Sequence, residues 1–258
     1  MRFYLGTHQP AWLSRDLGVP LLVSHRRLAG RRSLPRASGP WALDSGGFTE
    51  LSLHGRWRFD ERTYVAAVRR YAAEIGQLTF AAPMDRMTEP HVLARTGASL
   101  RMHQRMTVAN YLRLKELAPE LPFIPVLQGD SVADYHRCAD WYERHGVDLG
   151  ALSLIGVGSI CRRQHTAEVE RIVRSLATRG YRLHAFGAKV LGLRRYGDKI
   201  ASSDSMSWSM RGRYVPGCTP SHRSESNCLT FALGWHRRVQ TMLGPHDEAA
   251  GDTLTSAA

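Results

Sequence analysis

The segment Trp41-Ala-Leu-Asp44-Ser-Gly-Gly-Phe48 ends a short apolar run in a carboxylate, a hydroxyl and two glycines. A strand that hands over to a loop in this way presents Asp44 as a catalytic acid, and the glycines let the backbone turn sharply and let a flat ligand approach the main chain. The same residue types also suit a strand followed by a polar turn. What favours chemistry is repetition: Asp85, Gln128, the Gly156 to Gly158 segment and Asp204 also close apolar runs. Three acids and an amide at successive strand ends would converge on one pocket if those strands shared a barrel, whose active sites lie at the C-terminal strand ends.

The elements needed to position them are legible as short apolar runs over 3–8, 20–25, 41–44, 78–85, 123–128, 152–156, 182–187 and 199–204, which makes eight candidate strands. Between them, 61–75, 108–117, 131–145 and 167–179 space apolar residues at three and four, the period of a helix packed on one face. Asp60, Asp130 with Ser131, and Thr166 offer N-caps, and Gly76, Gly146 and Gly180 offer ends. Strands alternating with helices imply parallel pairing with right-handed crossovers. Eight of them predict an α/β fold, a single-domain (β/α)8 TIM barrel over 1–243, with a doubly wound open sheet as the alternative. The small, polar stretch 244–258 is expected to be a disordered tail.

The chain of 258 residues carries 35 Lys and Arg against 23 Asp and Glu, a net charge of +12 that comes mostly from arginine. Pairs at Arg26-Arg27, Arg31-Arg32, Arg162-Arg163, Arg194-Arg195 and Arg237-Arg238 suit a polyanionic partner, because guanidinium forks pair with phosphate. Charge does not tell DNA from RNA. No apolar run approaches the ~20 residues of a membrane span, so no membrane partner is expected. The N-terminus lacks the layout of a secretory signal, and four scattered cysteines do not make a disulfide scaffold. The expected location is cytoplasmic.

Asp44-Ser-Gly-Gly-Phe48, Val126-Leu-Gln128-Gly129, Ile155-Gly156-Val-Gly158 and Ser203-Asp204-Ser205 resemble, in order, the active-site motifs of the tRNA-guanine transglycosylase superfamily. The resemblance is greatest to its DNA-acting branch, the DpdA-type enzymes that insert 7-deazaguanine bases into DNA, and runs from about residue 3 to 236. It implies a pentosyltransferase that exchanges guanine in DNA for a preQ0-like base through a covalent aspartyl-sugar intermediate. On that resemblance Asp204 is the nucleophile at C1′ and Asp44 shuttles a proton to and from the bases. Asp85 reads the guanine N1–H and amine, and Gln128 and a backbone N–H near Gly158 approach O6. Ser45, Gly46, Gly129 and Gly156 complete the expected substrate-binding set, while Met84 and Phe48 are candidates for the base face and Lys189 for a phosphate. His8 and His184 could line the pocket, but a satisfied core or loop histidine is the commoner case, and they stay outside the catalytic set. A partner protein or a homodimer fits the same picture. The rival readings are a tRNA-guanine transglycosylase of the queuosine or archaeosine type and a non-catalytic nucleic-acid-binding barrel.

The chain departs from the tRNA branch in lacking its Cys-x-Cys-x-x-Cys zinc motif. In about the same place stand Cys218, His222, Cys228 and His236, a set of two sulfurs and two nitrogens that suits a closed tetrahedral zinc site. A structural zinc within a subregion 214–240 is therefore expected, the alternative being buried thiols and surface histidines. No organic cofactor is called for.

Overall fold

The computed structural model describes residues 1–244; the tail expected from 244 onward otherwise lies outside the described residues. Eight strands form one all-parallel sheet: β1 (Arg2–Thr7), β2 (Leu21–Ser24), β3 (Trp41–Asp44), β4 (Leu78–Ala81), β5 (Val126–Leu127), β6 (Ile155–Val157), β7 (Leu183–Ala185) and β8 (Ser202–Ser205). Their order is β4-β3-β2-β1-β8-β7-β6-β5, with β1 seated on β8. Sequence neighbours are therefore sheet neighbours throughout, without the reversal of winding that defines a doubly wound sheet. The two ends meet through a parallel bridge between Ala81 and Phe123, where Ala81 N–H donates to Pro122 O at 2.9 Å and Ile124 N–H donates to Ala81 O at 3.2 Å. The fold is thus the expected (β/α)8 barrel, with its closure confined to this short seam.

The helices are α1 (His25–Leu28), α2 (Gly47–His54), α3 (Glu61–Glu74), α4 (Pro90–Thr96), α5 (Leu100–Leu117), α6 (Val132–Arg144), α7 (Ala167–Ala177), α8 (Val190–Tyr196), α9 (Ser207–Gly212) and α10 (Leu229–Leu243). Asp60, Ser131 and Thr166 cap α3, α6 and α7 through their side chains, and Gly76, Gly146 and Gly180 take positive φ just beyond those helices. The helix read as starting at 108 begins eight residues earlier, because Ser99 accepts from Met102 N–H and starts α5 there.

Side-chain parity separates two cores. Phe3, Leu5, Val23, Trp41, Leu43 and Leu183 pack outward against the helices, whereas Tyr4, Leu22, Ala42, Phe80 and Ile124 form a second cluster inside the barrel. Asp44 lies two residues beyond Ala42, and Asp204 pairs in register with Tyr4, so both acids belong to the inward set. No helix among the described residues is long and apolar enough to cross a membrane.

Candidate active site

At the C-terminal strand ends a cavity of about 380 Å³ opens, and Asp44, Asp85, Glu89 and Asp204 all line it. Four carboxylates in one cavity repel one another, and the arrangement is held by donors placed around them.

Asp204 is the most firmly held. Gly187 N–H donates to its Oδ1 at 2.9 Å, and His184 Nε2 stands 3.3 Å from the same oxygen. The His184 ring is fully buried, edge-on to Phe80 and Phe186, with Nδ1 2.8 Å from Ser202 Oγ. Facing a carboxylate, the ring must present Nε2–H, and Nδ1 then accepts the Ser202 hydroxyl proton. Both contacts fall on Oδ1, and Oδ2 has no hydrogen-bond partner among the described residues.

Asp44 ends β3 in register with Ser24 of β2. Burial raises its carboxyl above the ordinary range, and the charge of Asp204 adds to the rise; the Ser24 hydroxyl, the Gly46 N–H and Arg26 act the other way. The turn that follows demands glycine: Gly46 has φ 81°, and a Cβ there would stand 2.7 Å from Arg26 Cγ.

Asp85 sits on the loop after β4, pinned from both sides by α5. Met84 N–H donates to Asn110 Oδ1 and Arg86 N–H to Thr107 Oγ1, each at 2.9 Å. Burial first, then the charge of Asp44, pushes its carboxyl up to about 7, against a 2.6 Å hydrogen bond from Gln128 Nε2.

The expected set divides here. Ser45, Gly46 and Gly158 line the cavity with the acids, whereas Gln128, Gly129 and Gly156 stand behind its wall. Gln128 is fully buried, with its Nε2 committed to Asp85 and its Oε1 2.5 Å from Ser159 Oγ, so it supports Asp85 rather than facing a base. Gly158 N–H is spent on Leu127 O, and a Cβ at Gly158 would overlap the Gln128 amide. Gly156 is required by Phe186, which a Cβ would meet at 2.5 Å. Gly129 packs against Asp134 and Tyr135, and its carbonyl accepts from Thr88 Oγ1 at 2.9 Å. Phe48 lines the rim, Met84 belongs to the outer core, and Lys189 is not a lining residue.

Four lining or supporting residues were not assigned a role from sequence. His184 and His8 were left outside the catalytic set as residues that could line the pocket, and Glu89 and Ser159 carried no motif. Ser159 has φ 54°, an uncommon conformation for a side-chain-bearing residue, and its Oγ accepts from Thr88 N–H at 2.8 Å while lying 3.1 Å from Glu89 Oε2.

A second group lies beyond β8. Ligand atoms of Cys218, His222, Glu225 and Cys228 all fall within 4.8 Å of one another and could hold a metal ion. Cys218 Sγ is 3.6 Å from Cys228 Sγ and 3.4 Å from His222 Nδ1. Ligands at ~2.3 Å from a tetrahedral zinc are separated by about 3.8 Å, so the spacing fits such an ion. His236 is not part of this group. It falls on the buried face of α10 with Ala232, Trp235 and Val239, and its Nε2 lies 3.0 Å from Phe3 O, so the helix period takes it into the core while Glu225 occupies the fourth position.

No curated protein matches the chain. The model of the DpdA family, DeoxyPurine in DNA protein A, matches residues 1–255, a span that contains all four cavity carboxylates and the metal-ligand group, and the chain therefore belongs to this family of the tRNA-guanine transglycosylase-like group, whose members modify DNA with a deazapurine.

Proposed function

We propose that the protein is a DNA-guanine transglycosylase that replaces guanine with a preQ0-like 7-deazaguanine. The observation that carries this reading is the pairing of two unlike acids in one cavity: Asp44, whose carboxyl is raised by burial, and Asp204, held through one oxygen by two donors. Asp204 Oδ2 attacks C1′ of the target nucleotide. The C1′–N9 bond breaks with its electron pair going to the base, and Asp44 supplies the proton that neutralises the departing guanine. The incoming deazaguanine gives its N9-equivalent proton to Asp44 and attacks C1′, releasing the Asp204 carboxylate. Two displacements retain the sugar configuration, as in retaining glycoside hydrolysis. Asp85 accepts from the N1–H and amine of either base, and the backbone around Ser159 replaces Gln128 as the nearest candidate for O6.

The test is release of radiolabelled guanine from a DNA duplex and from tRNA in the presence of preQ0. Exchange in DNA, abolished in Asp204→Ala together with a denaturation-resistant protein–DNA adduct, is expected. Exchange in tRNA alone would move the protein to the tRNA branch.

The metal group is proposed to hold a structural zinc through Cys218, His222, Glu225 and Cys228. Its contribution is to cross-link the loop after α9 to the start of α10; no reaction step passes through it. Metal analysis should find about one equivalent of zinc, lost in Cys218→Ser. Less than a tenth of an equivalent in the unaltered protein would refute the site.

A further inference from the structure

Met206, Met210 and Tyr214 are 45 %, 60 % and 85 % exposed, so exposure rises step by step away from the cavity that Met206 lines. They recur at every fourth residue. Turn hydrogen bonds carry the chain on from α9, Arg213 N–H to Met210 O at 3.4 Å and Tyr214 N–H to Arg211 O at 3.1 Å, so the three exposed side chains form a ridge along one continuous hydrogen-bonded segment. The ridge begins two residues after Asp204.

Its base is rigid. Trp208 is fully buried, donates Nε1–H to Gly6 O at 2.8 Å and stacks on Trp12. Gly212 packs so closely on Glu225 that a Cβ would stand 2.7 Å from its backbone, which seats α9 on the metal-ligand loop. The apolar tips, by contrast, have no ring or cation partner among the described residues. Phe48 on the same cavity's rim is already occupied, lying under the Arg162 guanidinium at 5.2 Å. Arg211 and Arg213, both exposed and without an ion-pair partner among the described residues, lie between Met210 and Tyr214.

We infer that the Met206–Met210–Tyr214 ridge is a wedge that enters the base stack of duplex DNA beside the target nucleotide and holds it open while the target occupies the cavity. This rests on the transglycosylase reading. A nucleotide reacting at C1′ within a duplex must leave the stack, which costs stacking and pairing energy. Apolar side chains that insert at a base step offset part of that cost, and a Tyr ring adds a stacking face. Interleaved arginines hold the flanking phosphates and set the register of insertion. An apolar ridge on a rigid base, exposed and adjoining the nucleophile, has the composition such a role demands.

The experiment compares the unaltered protein with a M210S/Y214S variant on two DNAs of one sequence, with the target guanine either paired or inside an unpaired bubble. 2-Aminopurine beside the target reports unstacking, and guanine release reports exchange. The wedge predicts that the variant loses the fluorescence rise on the duplex and slows exchange there by about tenfold or more, while exchange in the bubble stays within about twofold. Equal losses on both DNAs, or no loss on the duplex, would overturn it. Unstacking does not need chemistry. Opening by the unaltered protein without exchange on any DNA would therefore defeat the transglycosylase reading alone, whereas absence of opening would defeat the wedge. Both substituted positions are exposed, and an unchanged melting temperature checks the fold.

Discussion

Asp85 and Asp44 are both raised by burial and by a neighbouring carboxylate, yet the chemistry asks opposite things of them. In the proposed exchange Asp44 carries a proton to the leaving base, so a raised carboxyl serves it. On the same proposal Asp85 accepts from two donors on the guanine edge, which requires the ionised form. With Asp85 pushed up to about 7, each unit of pH below that value removes about nine-tenths of the ionised acceptor. KM for the base should rise by about tenfold per unit below pH 7, and Asp85→Asn should show a high KM without that dependence. The same shift acts on stability. An acid whose folded value lies above its unfolded value binds its proton more tightly when folded, so it costs stability once the unfolded chain ionises. That cost is absent below about pH 4 and full above about pH 7. Asp85→Asn should therefore be more stable to unfolding than the parent at pH 8, by on the order of 2 kcal/mol given the access to water through the cavity, and melt higher, with the gain shrinking towards pH 5. A variant that melts lower at pH 8 would show that the carboxylate is not held against its preference.

At the scale of elements, the site depends on β5 and β6 as a supporting layer. Gln128 directly follows β5 and Gly158 directly follows β6, and only a glycine leaves room for the amide that reaches Asp85. Gly158→Ala should swing the Gln128 amide away from Asp85, which loses its one side-chain donor. The expected result is a KM for the base raised several-fold and a pH midpoint above 7, with little change at Asp204; a variant losing exchange with an unshifted midpoint would contradict it. All eight strands were legible in the sequence, seven as apolar runs closing on a polar or glycine residue and β8, which is Ser-Ser-Asp-Ser, from Ile200 and Ala201 ahead of it, and strand parity then carries Asp44 and Asp204 to one face. The strand-end roles of Gln128 and Gly156 were legible as positions but not as functions. Whether such a residue faces the cavity or supports the wall depends on its neighbours across strands, Phe186 for Gly156 and Ser159 for Gln128. Helices α4, α8 and α9 have six or seven residues, too few for a 3.6-residue period to show, and α2 opens on Gly47, a poor helix former. His184 is the clearest omission: a lone histidine inside an apolar strand gives no sign of its partner until β7 is paired with β8, which sets it beside Ser202. His236 fails in the reverse sense, since its spacing from Cys228 suggested a ligand while the buried face of α10 claimed the side chain.

Across the whole molecule, the charge of +12 is not spread evenly in its effect. On the outer helices many arginines are neutralised locally: Arg70 by Glu74, Arg113 by Glu116, Arg137 by Asp134, Arg171 by Glu168 and Arg179 by Asp140 and Glu143. Arg26 and Arg27 line the reaction cavity, and Arg211 and Arg213 flank the ridge beside it, yet none of these four has an ion-pair partner among the described residues. A polyanion approaching the cavity mouth therefore meets guanidinium groups that no ion pair engages among the described residues. Arg26 is also packed under Gly46 and acts on Asp44, so its removal would confuse binding with catalysis. Arg211 and Arg213 are free of that difficulty. Each phosphate contact made by such a cation releases condensed counterions and contributes about 0.9 to the slope of log K against log salt on duplex DNA. Arg211→Ala with Arg213→Ala should flatten that slope by about 1.8 and weaken binding most at low salt, with the effect similar for any DNA sequence because phosphates carry no sequence information. Replacement of Arg113 and Arg171, already paired on the outer helices, should leave the slope within error. If the outer pair changed the slope as much as the pair beside the cavity, DNA would be binding the barrel's flank and not its mouth.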